Sequence, residues 1–86
     1  MEFWAIVDEI SNNSNMSLVA ISKKIGRSSG FLSASKARNS LPLVSTACDI
    51  VGACDYALCV VPRNDVNGRM FEVTETGAID DQVNRV

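Results

Sequence analysis

The side chains of this 86-residue chain that point to chemistry are five of its eight cations and all its serine hydroxyls, which share one stretch. Between Ile10 and Cys48 lie Lys23, Lys24, Arg27, Lys36 and Arg38, with no acidic residue among them. That stretch carries +5; the remainder, with three basic and ten acidic residues, carries −7 and leaves the chain at −2. All ten serines also fall between Ser11 and Ser45. Clustered ammonium, guanidinium and hydroxyl groups hold anions, phosphate above all, through charge and donated hydrogen bonds. A cationic segment on an acidic chain is the pattern of a local anion-binding face. Charge alone leaves one alternative open: cations that only solvate the helices bearing them.

Other chemistries lack their parts. There is no histidine, which excludes histidine-dependent triads, histidine acid–base catalysis and histidine-containing zinc sites. Cys48, Cys54 and Cys59 are odd in number and form no Cys-x-x-Cys pair, so free thiols in a reducing, cytoplasmic setting are expected. A three-thiolate metal site would lack its fourth ligand. Phe3, Trp4 and Phe31 sit at core spacing rather than as a ligand cage, and Asp80–Asp81 reads as a solvated acid pair. No glycine-rich phosphate loop is present. The expectation is a non-enzymatic protein with no metal and no cofactor.

The elements that must position the cations follow from periodicity. Phe3, Ile6, Val7 and Ile10 recur at i, i+3, i+4, i+7 with Trp4 beside them, which predicts a helix over 2–12. The Ser11–Asn15 run breaks it. Ser17 is placed to cap a second helix with Leu18, Ile21 and Ile25 inward and Gly26 as its left-handed stop. Ser28 is the expected cap of a third helix, 29–37. Its Phe31, Leu32 and Ser35 point one way, and Ser29, Gly30, Ser33, Lys36 and Ala37 the other, with Ala34 on the flank. Asn39 and Ser40 close it. Pro42 suits the first turn of a fourth helix, with Val44, Ala47, Cys48 and Val51 inward, Cys54 at the edge and Asp55 at its end. The period then falls to two. Residues 56–61 and 70–74 read as strands around turn signals at 63–68. Residues 75–86 read as a tail or a short helix through Ile79, Val83 and Val86.

The run Leu18-Val19-Ala20-Ile21-Ser22-Lys23-Lys24-Ile25-Gly26-Arg27-Ser28-Ser29-Gly30-Phe31-Leu32-Ser33 predicts two short helices joined by a three- to four-residue turn containing glycine. Ser22 is the small residue where the second helix must approach, as helix-turn-helix geometry demands. This run resembles the helix-turn-helix of the phage-repressor-like (xenobiotic-response-element) family. The resemblance continues through Asn39–Pro42 and the fourth helix, over about residues 3–56. It implies a lambda-repressor-like helical core over 2–55; with the β-hairpin that the two-residue period predicts over 56–74, the expected fold is mainly α and a single domain.

The resemblance also implies a DNA-binding module with its third helix in the major groove. Carried over by position, Ser29, Gly30, Ser33 and Ala34 face bases, with Lys36 beside them. Ser28 falls at the helix start, where hydroxyl and N–H groups hold phosphate. Lys23, Lys24, Arg27 and Arg38 supply phosphate charge, as Lys36 also can. Two positions depart from the family pattern. Arg27 follows the turn glycine, where an apolar residue is usual. The reading face has no Gln, Asn or Arg at its leading positions, the side chains that make bidentate base contacts worth about 1–3 kcal/mol each. Specificity is then weak, or drawn from Lys36, Arg38 and DNA shape, or the surface binds something else.

The expected function is a small transcriptional regulator of double-stranded DNA, repressor-like, of phage or mobile-element type. A homodimer through the hairpin edge is expected, because two recognition helices suit half-sites one turn apart. The alternative is a protein-interaction module or antitoxin on the same fold, with a protein partner and little base readout. No membrane partner is expected: no run of 18 apolar residues occurs, and Met1–Glu2–Phe3–Trp4 lacks the start of a secretion signal.

Overall fold

The computed structural model describes residues 2–65 and 67–74. Four helices, α1 (Phe3–Ser14), α2 (Leu18–Lys24), α3 (Phe31–Ala37) and α4 (Val44–Ala53), precede two antiparallel strands, β1 (Leu58–Val60) and β2 (Phe71–Val73). The expected tail or helix over 75–86 lies outside the described residues.

Each helix stops for the same reason. The residue after its last turn adopts a left-handed backbone: Asn15 (φ 57°), Gly26 (φ 82°), Asn39 (φ 54°) and Asp55 (φ 65°). Two crossed backbone bonds then close the end. In α2 the Gly26 N–H donates to the Lys23 carbonyl at 3.0 Å and the Arg27 N–H to the Ser22 carbonyl at 2.9 Å. The same pair recurs with Asn15 and Met16, Asn39 and Ser40, and Asp55 and Tyr56. Asparagine and aspartate tolerate this conformation better than other side-chain-bearing residues. Gly26 needs it most, at the largest φ. A Cβ there would meet no atom within 4 Å, so only backbone strain opposes a side chain. Gly26→Ala is expected to lower stability by about 1–2 kcal/mol. A urea midpoint unmoved by the substitution would refute this account of the stop.

The core joins Trp4, Val7 and Ile10 of α1 to Ile21 of α2, Leu32 of α3, and Ile50, Val51, Ala53 and Cys54 at and after the end of α4. Two inward faces differ from those predicted. On α1, Trp4 is buried, Phe3 is half-buried and Ile6 is exposed. The indole decides this. Its ring enters the core edge-on to Phe3, at 5.1 Å between centroids, and its N–H donates to the Ser40 carbonyl at 2.9 Å. On α4 the buried set is Thr46, Ala47, Ile50, Val51 and Ala53, while Val44 is 62% exposed and Cys48 half-buried. This orientation buries Ile50, the largest apolar side chain of the helix, in preference to Val44. α4 also begins later than Pro42 predicts. Leu43 is its N-cap, in an extended backbone, and Pro42 stands in the segment before it.

The strands are shorter than predicted and pair Leu58 with Val73, Cys59 with Glu72 and Val60 with Phe71. Turns between Pro62 and Asp65 and between Asp65 and Gly68 reverse the chain. Leu58 packs against the core, and the Cys48 thiol donates to the Val73 carbonyl at 3.5 Å, so the hairpin is moored to α4. Val60, Met70 and Phe71 remain more than half exposed. Among the described residues no helix is long and apolar enough to cross a membrane.

Candidate nucleic-acid interface

The five cations of the stretch lie on α2, on α3, in the six residues between them, 25–30, and at Arg38, the residue that ends α3. Ser17 starts α2 as predicted: its hydroxyl accepts the Ala20 N–H at 3.1 Å. Ile21 then faces the core, fully buried. Ser22, next to it, is also fully buried, and both sides of its hydroxyl are used. It donates to the Leu18 carbonyl at 2.7 Å and accepts the Leu32 N–H at 3.2 Å.

That second bond explains how α3 begins. A helix leaves its first N–H groups without partners, and a local serine usually supplies one. The sequence points to Ser28 for that role, with a helix opening at 29. Instead Gly30 is the N-cap with no side-chain bond, and Ser28 and Ser29 belong to a preceding turn, in which the Phe31 N–H donates to the Ser28 carbonyl at 3.1 Å. The cap comes from α2: Ser22 satisfies the Leu32 donor from across the interface. The connection is therefore longer than three to four residues, and the small side chain at 22 does two things. It lets the helices approach, and it completes the second one.

Leu32 anchors α3 inward, fully buried, with Phe31 and Ser35 half-buried beside it. Ser28, Ser29, Gly30, Ser33, Ala34, Lys36 and Ala37 are all exposed, as are Lys23, Lys24, Arg27 and Arg38. The outward face of α3 is thus small and polar, as its sequence predicts. Lys23 and Lys24 lie in the last turn of α2, Arg27 in the connection, and Lys36 and Arg38 at the far end of α3.

The cations are not equivalent. Lys24 donates to the Ala53 carbonyl at 2.9 Å and so closes the carboxyl end of α4. The Arg27 guanidinium lies 4.4 Å from the Phe31 ring centroid. Lys36 pairs with Asp8 of α1 at 2.7 Å. Among the described residues, the side chains of Lys23 and Arg38 make no ion pair, hydrogen bond or ring contact. No sequence signal marked Asp8, which is off the inward stripe of α1 and 28 residues from Lys36. Nor did any mark Lys24 as a tie to α4.

The thiols do not gather into a site. Cys54 is buried, Cys48 and Cys59 are half-buried, and none is in a disulfide. Among the described residues no group of three metal-ligating side chains converges. Comparison of this chain with models of known protein families, with characterised proteins and with solved structures gives no match.

Proposed function

We propose that this protein is a small DNA-binding regulator, that α2 and α3 form a helix-turn-helix, and that α3 enters the major groove. One observation carries the reading: α3 offers an exposed face of small side chains with cations at both ends and no acid on α2, α3 or the segment joining them. At 1.5 Å per residue α3 is about 10 Å long. A major groove is about 12 Å wide, so cations at the two ends of such a helix reach phosphates on opposite walls. Ser29, Gly30, Ser33 and Ala34 would then lie over base edges, where hydroxyls and methyl-sized groups read shape and thymine methyls more than donor–acceptor pattern. Weak sequence discrimination on a strong phosphate term follows. The protein would act in the cytoplasm as a homodimer, its exposed Val60, Met70 and Phe71 covered by the same residues of a second copy.

The test is duplex DNA binding across a salt series. Affinity is expected to fall steeply with salt. The double variant Lys23→Ala/Arg38→Ala should flatten the slope of log K against log salt by about 0.9 per cation removed, for all sequences alike. Two chains should bind per duplex. No binding at low salt would reject DNA and leave the α3 face to a protein partner, which is the second reading. Leu41, Leu43 and Val44, each more than 60% exposed beside the end of α3, favour that reading.

A further inference from the structure

α1 meets the far end of α3 at two points one turn apart. The Trp4 indole N–H reaches the Ser40 carbonyl at 2.9 Å. Four residues further along α1, Asp8 faces Lys36, four residues before Ser40. Both carboxylate oxygens accept from the ammonium, at 2.9 and 2.7 Å. The buried Trp4 holds this end of α1 against the residue that follows α3, and one turn on the short Asp8 side chain meets Lys36. Both partners of the pair are open to water, at 42% and 43% side-chain exposure. Lys36 is also the one cation of α2 and α3 that forms an ion pair among the described residues.

We propose that Asp8 is a built-in competitor for the phosphate that Lys36 would hold, and so sets the affinity of the DNA face. This rests on the DNA reading given above. A carboxylate and a phosphate offer an ammonium the same thing, anionic oxygens at hydrogen-bond distance. An exposed pair is a weak latch, which DNA can open at small cost. While it is closed, Lys36 is neutralised and its charge adds little to the pull on DNA. The acid belongs to α1, outside the cationic stretch, so the tuning comes from a different element than the binding face itself.

The experiment measures binding of a 20-base-pair duplex to four full-length proteins: wild type, Asp8→Asn, Lys36→Gln and the double variant. Asp8→Asn is expected to tighten binding by about two- to fivefold, the range an exposed ion pair spans. In the Lys36→Gln background the same change should do nothing. An equal gain in both backgrounds would mean Asp8 merely repels DNA at long range, and would overturn the proposal while sparing the DNA reading. No gain in either background would overturn it too. Binding by none of the four proteins would instead remove the DNA reading on which it stands. Asp8→Ser, read in parallel, guards against an effect peculiar to the amide.

Discussion

Trp4→Ala is expected to lose about 3–5 kcal/mol, a large share of the stability of so small a domain. A chain of this length has about 4–13 kcal/mol in total at 0.05–0.15 kcal/mol per residue. At the low end of that range the variant would be partly or wholly unfolded at room temperature, and at the high end it would stay folded with a much lower urea midpoint. Three losses combine. The indole is 5% exposed and part of the core cluster, so its removal leaves a large cavity in the core. The edge-on contact with Phe3 goes. The Ser40 carbonyl loses its donor, and with it one of the two ties between α1 and the end of α3. Trp4→Phe separates the terms, because it keeps a ring and removes the N–H. It should cost less than half as much. Far-UV circular dichroism against urea is the proper readout, since Trp4 is the only tryptophan and its own fluorescence disappears. A midpoint close to wild type for Trp4→Ala would show that α1 is not anchored through this side chain.

Ser22→Val is the second large effect, at about 2–6 kcal/mol when its two causes are taken together. Valine puts an extra methyl into a fully buried contact between α2 and α3, which overpacks it. It also removes the acceptor that serves the Leu32 N–H, leaving a buried donor at the start of α3 unsatisfied. Ser22→Ala isolates the second cause, with a loss of about 1–3 kcal/mol. The consequence reaches function. α3 is seven residues long and makes no side-chain cap bond of its own, so its first turn depends on α2. Under the DNA reading, Ser22→Val should weaken duplex binding more than its fraction unfolded explains, because the folded molecules present a displaced helix. If binding per folded molecule were unchanged, α3 would not need Ser22 to hold its place.

The two variants expose what a one-dimensional pattern can show. Helix ends were legible to within a few residues, because termination is local. Asn15, Gly26, Asn39 and Asp55 act through their own φ and through bonds to carbonyls a turn earlier, all within six residues. The cap at Ser17 is local in the same sense. The two-residue period of the hairpin and the turn signals between its strands were legible for the same reason. Helix rotation was not. Both Phe3–Ile6–Val7–Ile10 and Trp4–Val7–Ile10 fit a helical stripe. The choice fell to a carbonyl 36 residues away that satisfies the indole N–H. On α4, likewise, a stripe through Val44 and Cys48 has the right period, yet Ile50 has more apolar surface to bury.

The cationic face divides in the same way. That the segment from Ile10 to Cys48 is positive, serine-rich and free of acids was decided by composition, and folding cannot alter it. Which residues of that segment have other partners was decided only in three dimensions. Lys24 closes α4, Lys36 faces Asp8, and Lys23 and Arg38 are exposed with no such partner among the described residues, because packing α1 and α4 around α2 and α3 brings distant carbonyls and a carboxylate within reach of the first two only. Local backbone preference and charge are properties of neighbours along the chain. The start of α3, the inward faces and the partner of each cation are properties of neighbours in space, and those exist only after the core has closed.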